Sequence, residues 1–229
     1  FRRVLFRSRT NVYSLRPSSR GGLRHRIRPR QTLARLQLVP GQRALAQSAN
    51  VEAIANFRKA LQLLNALPET PERTKQEIDI QLALGIPLIA VQGYASAETR
   101  EAFSRARSLC LQLGNISEYF QALYGLCMNS WMRAKHDESL PMAEEFLSRS
   151  RALSDPVLLM VAHRVMGSTL LTIGEFQSSK QHFEETITLS ISKGKQSLYN
   201  LYVVEPQAAS LLLLSWDLWF LGYPDQSLS

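Results

Sequence analysis

The residues of this 229-residue chain that could do chemistry are few and scattered: four histidines, two cysteines, and serines and carboxylates in no recognisable catalytic spacing. The tightest group is His182-x-Glu184-Glu185. Imidazole and carboxylate together suit a divalent transition metal, but one turn of helix supplies too few ligands, so a site there needs partners from another helix. A solvated face of an amphipathic helix is the plainer reading of the same residues. His25, His136 and His163 form no local cluster. Cys110 and Cys127 have no C-x-x-C spacing and sit inside apolar helical patterns, which reads as buried, reduced thiols and fits a cytoplasmic protein. There is no G-x-S-x-G elbow to expose a nucleophile and no G-x-x-x-x-G-K-[ST] loop to cradle a phosphate. The sequence therefore predicts no enzyme: no catalytic residue, no metal and no cofactor.

Recognition chemistry is better represented. Trp131, Trp216 and Trp219, with Tyr124, Arg164 and Ser168, fall on one stripe when the chain is aligned on its internal repeats. In an array of helix hairpins that stripe lies on the first helix of each hairpin and lines the concave side. Aromatic and arginine side chains in such a groove are the usual anchors for a protein or peptide, or for a small ligand. The competing reading is that the same aromatics pack against neighbouring helices, as they generally do in helical arrays. Sequence leaves both open.

The elements that carry these residues are helices. From Gly41 onward the chain is a series of amphipathic stretches rich in Ala, Leu, Gln and Glu, separated by short turns, with hardly a strand signal. The pattern predicts helices over 42–66, 71–92, 96–113, 116–134, 137–152, 156–173, 176–193 and 206–221, and a ninth after Pro224. Thr70 and Pro71 mark one helix start, with Thr70 as N-cap and acids in the first turn, and no function attaches to the charged segment Glu69–Glu77. No run of about 18 uncharged apolar residues appears, and Asp217 follows closely on Ala208–Leu214, so no membrane partner is predicted.

Small residues where two helices touch and aromatics where units stack are the marks of tetratricopeptide (TPR) hairpins. They are plainest in Met166-Gly167-x-x-Leu170-x-x-x-Gly174-Glu175-Phe176-x-x-Ser179-x-x-x-Phe183, where Gly167 lets the second helix approach, Gly174 closes the first helix and Phe183 fills space between units. The logic recurs in Gly85-x-x-Leu88 with Gly93-Tyr94, in Ala134 with Ser139, and in Gly222 with Ser227. Ala53-x-x-x-Phe57-x-x-Ala60 has the second-helix pattern with its first helix missing. The predicted fold is all-α, a right-handed α-solenoid of degenerate TPR-like hairpins.

Charge divides the chain in two. The net charge is +8, yet residues 1–40 contain 11 arginines, no lysine and no acid, which leaves the remainder at −3. A nucleic-acid-binding protein using a basic N-terminal arm is thus the alternative function, with the repeats as scaffold. A transit peptide is a second reading of the tail, met in composition but not in periodicity. A third is that the tail is not native: Phe1–Ser8 resembles, at every residue, one translated frame of a common sequencing-adapter end, and arginine without lysine suits out-of-frame GC-rich DNA. The expected organisation is a tail over 1–40, disordered or non-native, and a repeat domain over 41–229 that is truncated at both ends.

The segments Gly41–Leu64, Leu67–Gly85, Gly93–Asn115 and Leu218–Leu228, in that order, resemble the C-terminal TPR region of large bacterial proteins that join a class III adenylate/guanylate cyclase domain to a signal-transduction ATPase. The resemblance implies a sensory or regulatory module, non-catalytic in itself, whose partners include upstream ATPase and cyclase domains of a parent chain, with no nucleic acid.

Overall fold

Four helices of this protein start on proline and four close on glycine. Pro71, Pro156, Pro206 and Pro224 each occupy a first helical position, where the missing N–H has no helical partner to lose. Thr70 Oγ1 accepts from the Arg73 amide at 3.2 Å, Ser96 Oγ from Thr99 at 3.1 Å, and Asp155 Oδ1 from Val157 at 2.8 Å, so three helix starts also carry side-chain caps. Gly93, Gly114, Gly174 and Gly222 close helices at φ between +70° and +89°, a region open to glycine at little cost.

The structure is a computed structural model and describes residues 39–47, 49–193 and 206–227. The expected 1–40 tail lies almost wholly outside the described residues. Named helices are α1 (Asn50–Asn65), α2 (Pro71–Gln92), α3 (Ala97–Leu113), α4 (Ile116–Met132), α5 (His136–Leu153), α6 (Pro156–Ile173), α7 (Phe176–Lys193), α8 (Pro206–Phe220) and the short α9 (Pro224–Ser227). All regular structure among the described residues is helical. The chain is an α-solenoid of antiparallel hairpins.

One expectation fails at the N-terminal end. Instead of a single helix over 42–66, residues 39–46 are helical, the helix breaks, and α1 begins at Asn50. The reason is packing: a Cβ added to Gly41 would lie 2.6 Å from the Phe57 ring, whereas one straight helix would hold residues 16 apart at roughly 24 Å. Residues 39–46 thus supply part of the first helix that the sequence suggested was missing before the Ala53–Phe57–Ala60 pattern.

The same glycine-to-phenylalanine approach repeats. The ring of Phe183 in α7 sits against Gly167 in α6, and that of Phe103 in α3 sits against both Gly85 in α2 and Gly125 in α4. Phe183 therefore packs within its own hairpin as well as into the cluster with Leu171 and Leu213. In the hairpin of α4 and α5 the positions equivalent to Gly167 and Phe183 are Cys127 and Ala143, both fully buried. There two small side chains occupy the interface in place of a glycine and a phenyl ring.

Helices α2, α4, α6 and α8 pack on one another in series, while among the described residues the backbones of α1, α3, α5 and α7 approach only those of their sequence neighbours. The closely spaced row is the inner side of the curve. The main core lies between the rows and includes Phe120, Leu123, Phe146, Val161 and Val165. The outer row is linked by ion pairs instead: Arg58 to Glu98 at 2.6 Å, Arg100 to Glu138 at 2.7 Å and Arg107 to Glu145 at 2.5 Å. Within the array, α6 is long and apolar enough to cross a membrane by length and composition, and Val161, Ala162 and Val165 on it are buried against neighbouring helices.

The segment Glu69–Glu77, read in the sequence as an ordinary helix start, holds more. Buried Arg73 donates from Nε to the Leu64 carbonyl at 2.9 Å and from a terminal nitrogen to Asn65 Oδ1 at 3.1 Å, closing the end of α1. Buried Glu77 takes Arg105 of α3 at 2.6 Å. Three helices are pinned through two side chains.

Candidate binding groove

On the inner row, Tyr124 of α4 and Arg164 of α6 meet at the centre of the predicted stripe. A terminal nitrogen of Arg164 donates to the Tyr124 hydroxyl at 2.6 Å and lies 3.3 Å from Met128 Sδ, with the guanidinium 5.3 Å from the Tyr124 ring centroid. Arg164 is 4% exposed, its Nε has no hydrogen-bond partner, and among the described residues no carboxylate stands within ion-pair distance. Tyr94, at the end of α2, adds a second phenol: burial, and then the neighbouring Tyr124, push its hydroxyl well above the ordinary phenol range. Asn129 fixes that corner by donating to the carbonyls of Tyr94 and Ser96, the latter at 3.0 Å. Tyr94 lies outside the predicted stripe, although Gly93-Tyr94 is one of the repeat marks in the sequence.

The other members of the stripe separate into two kinds. Trp131 is half-buried, packed on the main core, and its indole Nε1 donates to the Ser168 carbonyl at 2.8 Å, tying α4 to α6. Ser168 is fully buried and its hydroxyl donates to the Arg164 carbonyl at 2.9 Å, so it serves the helix itself. Trp216 and Trp219 of α8 are 52% and 60% exposed and share a surface with Leu212 and Phe220, the latter stacked on Phe176 at 4.8 Å. Trp131 and Trp219 each stand three residues before a left-handed turn residue, Ala134 or Gly222. Equivalent positions thus give a packed indole inside the array and an exposed one at α8.

A separate cleft of 370 Å³ lies at the turn between α3 and α4, with Cys110, Ile116, Tyr119, Arg149 and Leu153 among its walls. Burial pushes the Cys110 thiol up to about 11 and the Cys127 thiol up to about 12, so neither is a thiolate at neutral pH. Tyr119 is held there by Glu145, which also takes Arg107 and Arg149. This cleft contains none of the stripe residues.

No family model and no curated protein matches the chain. Solved structures do. The apo form of RapI superposes with a TM-score of 0.71 at 13% identity, over 86% of this chain and 66% of that one. The Rap conjugation gene regulator of plasmid pLS20, solved in complex with the Phr* peptide, gives 0.63 at 15% identity, over 87% and 51%. A putative kinesin light chain of Podosopora anserina with nearly identical TPR-like repeats gives 0.62 at 11% identity, over 86% and 90%. The fold is that of TPR-like solenoids. The chain spans two thirds of the RapI chain or less, and about half of the pLS20 regulator.

Proposed function

We propose that this chain is a non-catalytic interaction scaffold whose inner row takes a peptide or protein segment that presents an anionic group to Arg164. The observation that carries the reading is the guanidinium itself. It is buried, it is met by a phenol and a thioether, and it has an unsatisfied Nε. A buried cation without a counter-charge is costly, and a carboxylate delivered by a ligand would remove that cost once the side chains covering the guanidinium move aside to admit it. Tyr94 and Tyr124 would flank the bound group with hydroxyls, and exposed Trp216 and Trp219 would extend the surface with aromatic area. That a similar solenoid was solved with the Phr* peptide supports the same class of ligand here.

The test is selection of peptides from a random library on the full chain, followed by titration calorimetry. Arg164→Met, which keeps the stem and removes the charge, should weaken a selected peptide about tenfold or more, as loss of a charged hydrogen bond does. Binders that are indifferent to Arg164→Met and to Trp216→Ala would overturn the groove.

The finer reading is a regulatory module of a cytoplasmic ATPase or nucleotide cyclase, in which ligand binding to the solenoid is passed to upstream domains. It rests on the four resembling segments given above. The genomic reading frame upstream of Gly41 tests it: a frame that encodes neither domain ends that proposal and leaves the groove untouched.

A further inference from the structure

The group His182-x-Glu184-Glu185 needed a partner from another helix, and the fold provides one. His163 of α6 and His182 of α7 face each other across their hairpin with Nδ1 atoms 3.0 Å apart and ring centroids 5.0 Å apart. Both residues are half-buried. We infer that His163 and His182 form a two-imidazole site for a borderline divalent transition-metal ion, of the zinc and copper(II) class, that staples α6 to α7.

The nitrogen separation needs little adjustment, while each lone pair must swing off the line between the two rings. Two imidazole nitrogens on tetrahedral zinc stand about 3.3 Å apart at ordinary Zn–N lengths, so the pair opens by a few tenths of an ångström. Without metal, one Nδ1–H donates to the other Nδ1 lone pair. On binding, that proton moves to Nε2 of the same ring through solvent, and both Nδ1 lone pairs turn to the ion with no net proton released. Ligation needs neutral imidazole, the form that histidine ordinarily takes at and above neutral pH. Among the described residues no third histidine, cysteine, aspartate or glutamate completes a ligand group, so water fills the remaining positions. Oxygen-preferring magnesium and calcium are thereby excluded in favour of ions that accept imidazole.

Two charges tune the site in opposite directions. Arg151 of α5 acts on both rings and opposes a cation, and Glu185 acts on His182 and favours one. Both are exposed, so their influence is screened but present.

Zinc binding by the metal-free full chain, followed by equilibrium dialysis, tests the inference. The expected result is one zinc per chain, lost in His163→Gln and in His182→Gln, retained in His136→Gln, and not displaced by excess magnesium. Circular dichroism in chelator establishes that the variants fold. Arg151→Gln, an exposed change that leaves the ligands intact, should tighten zinc binding severalfold, and Glu185→Gln should weaken it. Zinc stoichiometry unchanged in both histidine variants, or no binding by the parent chain, overturns the site.

Discussion

A Cβ on Gly167 would lie 2.8 Å from Cε1 of Phe183, closer than real Cβ atoms come to a ring, so the hairpin of α6 and α7 exists in this register only because position 167 has no side chain. Gly167→Ala forces Phe183 off its rotamer, and Gly167→Leu forces the helices apart. The expected cost is about 1–3 kcal/mol, larger for leucine, read as a drop in melting temperature. Combining Gly167→Ala with Phe183→Leu should recover part of the loss, because the two positions share one volume.

Ala134 ends the helix that Gly174 and Gly222 end elsewhere, at φ +53° with a Cβ that the left-handed region penalises. Ala134→Gly removes that strain, at the expense of a more flexible unfolded chain. The balance favours the variant by about 0.5–1 kcal/mol, and a melting temperature at or below that of the parent chain would contradict it.

Asp217 of α8 is fully buried and shares Ser179 with the Gly167 carbonyl: the Ser179 hydroxyl lies 2.6 Å from Asp217 Oδ2 and 2.9 Å from Gly167 O. One hydroxyl proton cannot serve both acceptors. When Asp217 is protonated it donates from Oδ2 to Ser179 Oγ, and Ser179 donates to Gly167, so each hydroxyl has its own acceptor while Asp217 Oδ1 stays unpaired. Burial raises the carboxyl to about 6, partly opposed by Ser179. Because the folded value is the higher one, the native state holds the extra proton, and Asp217's contribution is complete below the unfolded value and is lost as pH rises towards 6 and beyond. Asp217→Asn, which keeps a donor for Ser179, should stabilise the protein at neutral pH by about 1–2 kcal/mol and have little effect near pH 4. A pH-independent difference in denaturant midpoint between the two proteins would exclude this assignment.

The three tryptophans differ in surroundings, and fluorescence separates them. A variant retaining only Trp131 should emit at shorter wavelength and resist acrylamide, because its ring packs on the core and its Nε1 is engaged. Variants retaining only Trp216 or only Trp219 should be quenched readily, and a selected peptide that uses the groove should protect them. Strong quenching of Trp131 would mean that the tie between α4 and α6 does not form.

Much of the helical register was legible because it is written locally: prolines at first positions, glycines at left-handed closures and a Ser or Thr before the acidic first turn each act within one turn of backbone. The end of the first helix at residue 46 and the fresh start at Asn50 were not, since they follow from the approach of Gly41 to Phe57 and not from any breaker residue. Arg73, Glu77 and Arg105 escaped for a related reason. Their spacing looks like an exposed helix face, and only the neighbouring helices reveal that two of the three are buried. Repeat alignment puts Tyr124 and Arg164 on one stripe because it fixes the face of a helix, and the two side chains meet there. The same alignment could not say that Ser168 turns its hydroxyl back to its own helix, nor that Tyr94 joins from a helix end. His163 and His182 are 19 residues apart and meet only because the hairpin folds back.

The ion pairs that step along the outer row connect α1 to α3 and α3 to α5, while the inner row is joined by direct packing. The two sides of the solenoid therefore differ in their response to electrolyte. Exposed and half-exposed pairs are screened by salt, and packed apolar contacts are not. The cohesion of the outer side therefore weakens as ionic strength rises, while that of the inner side does not.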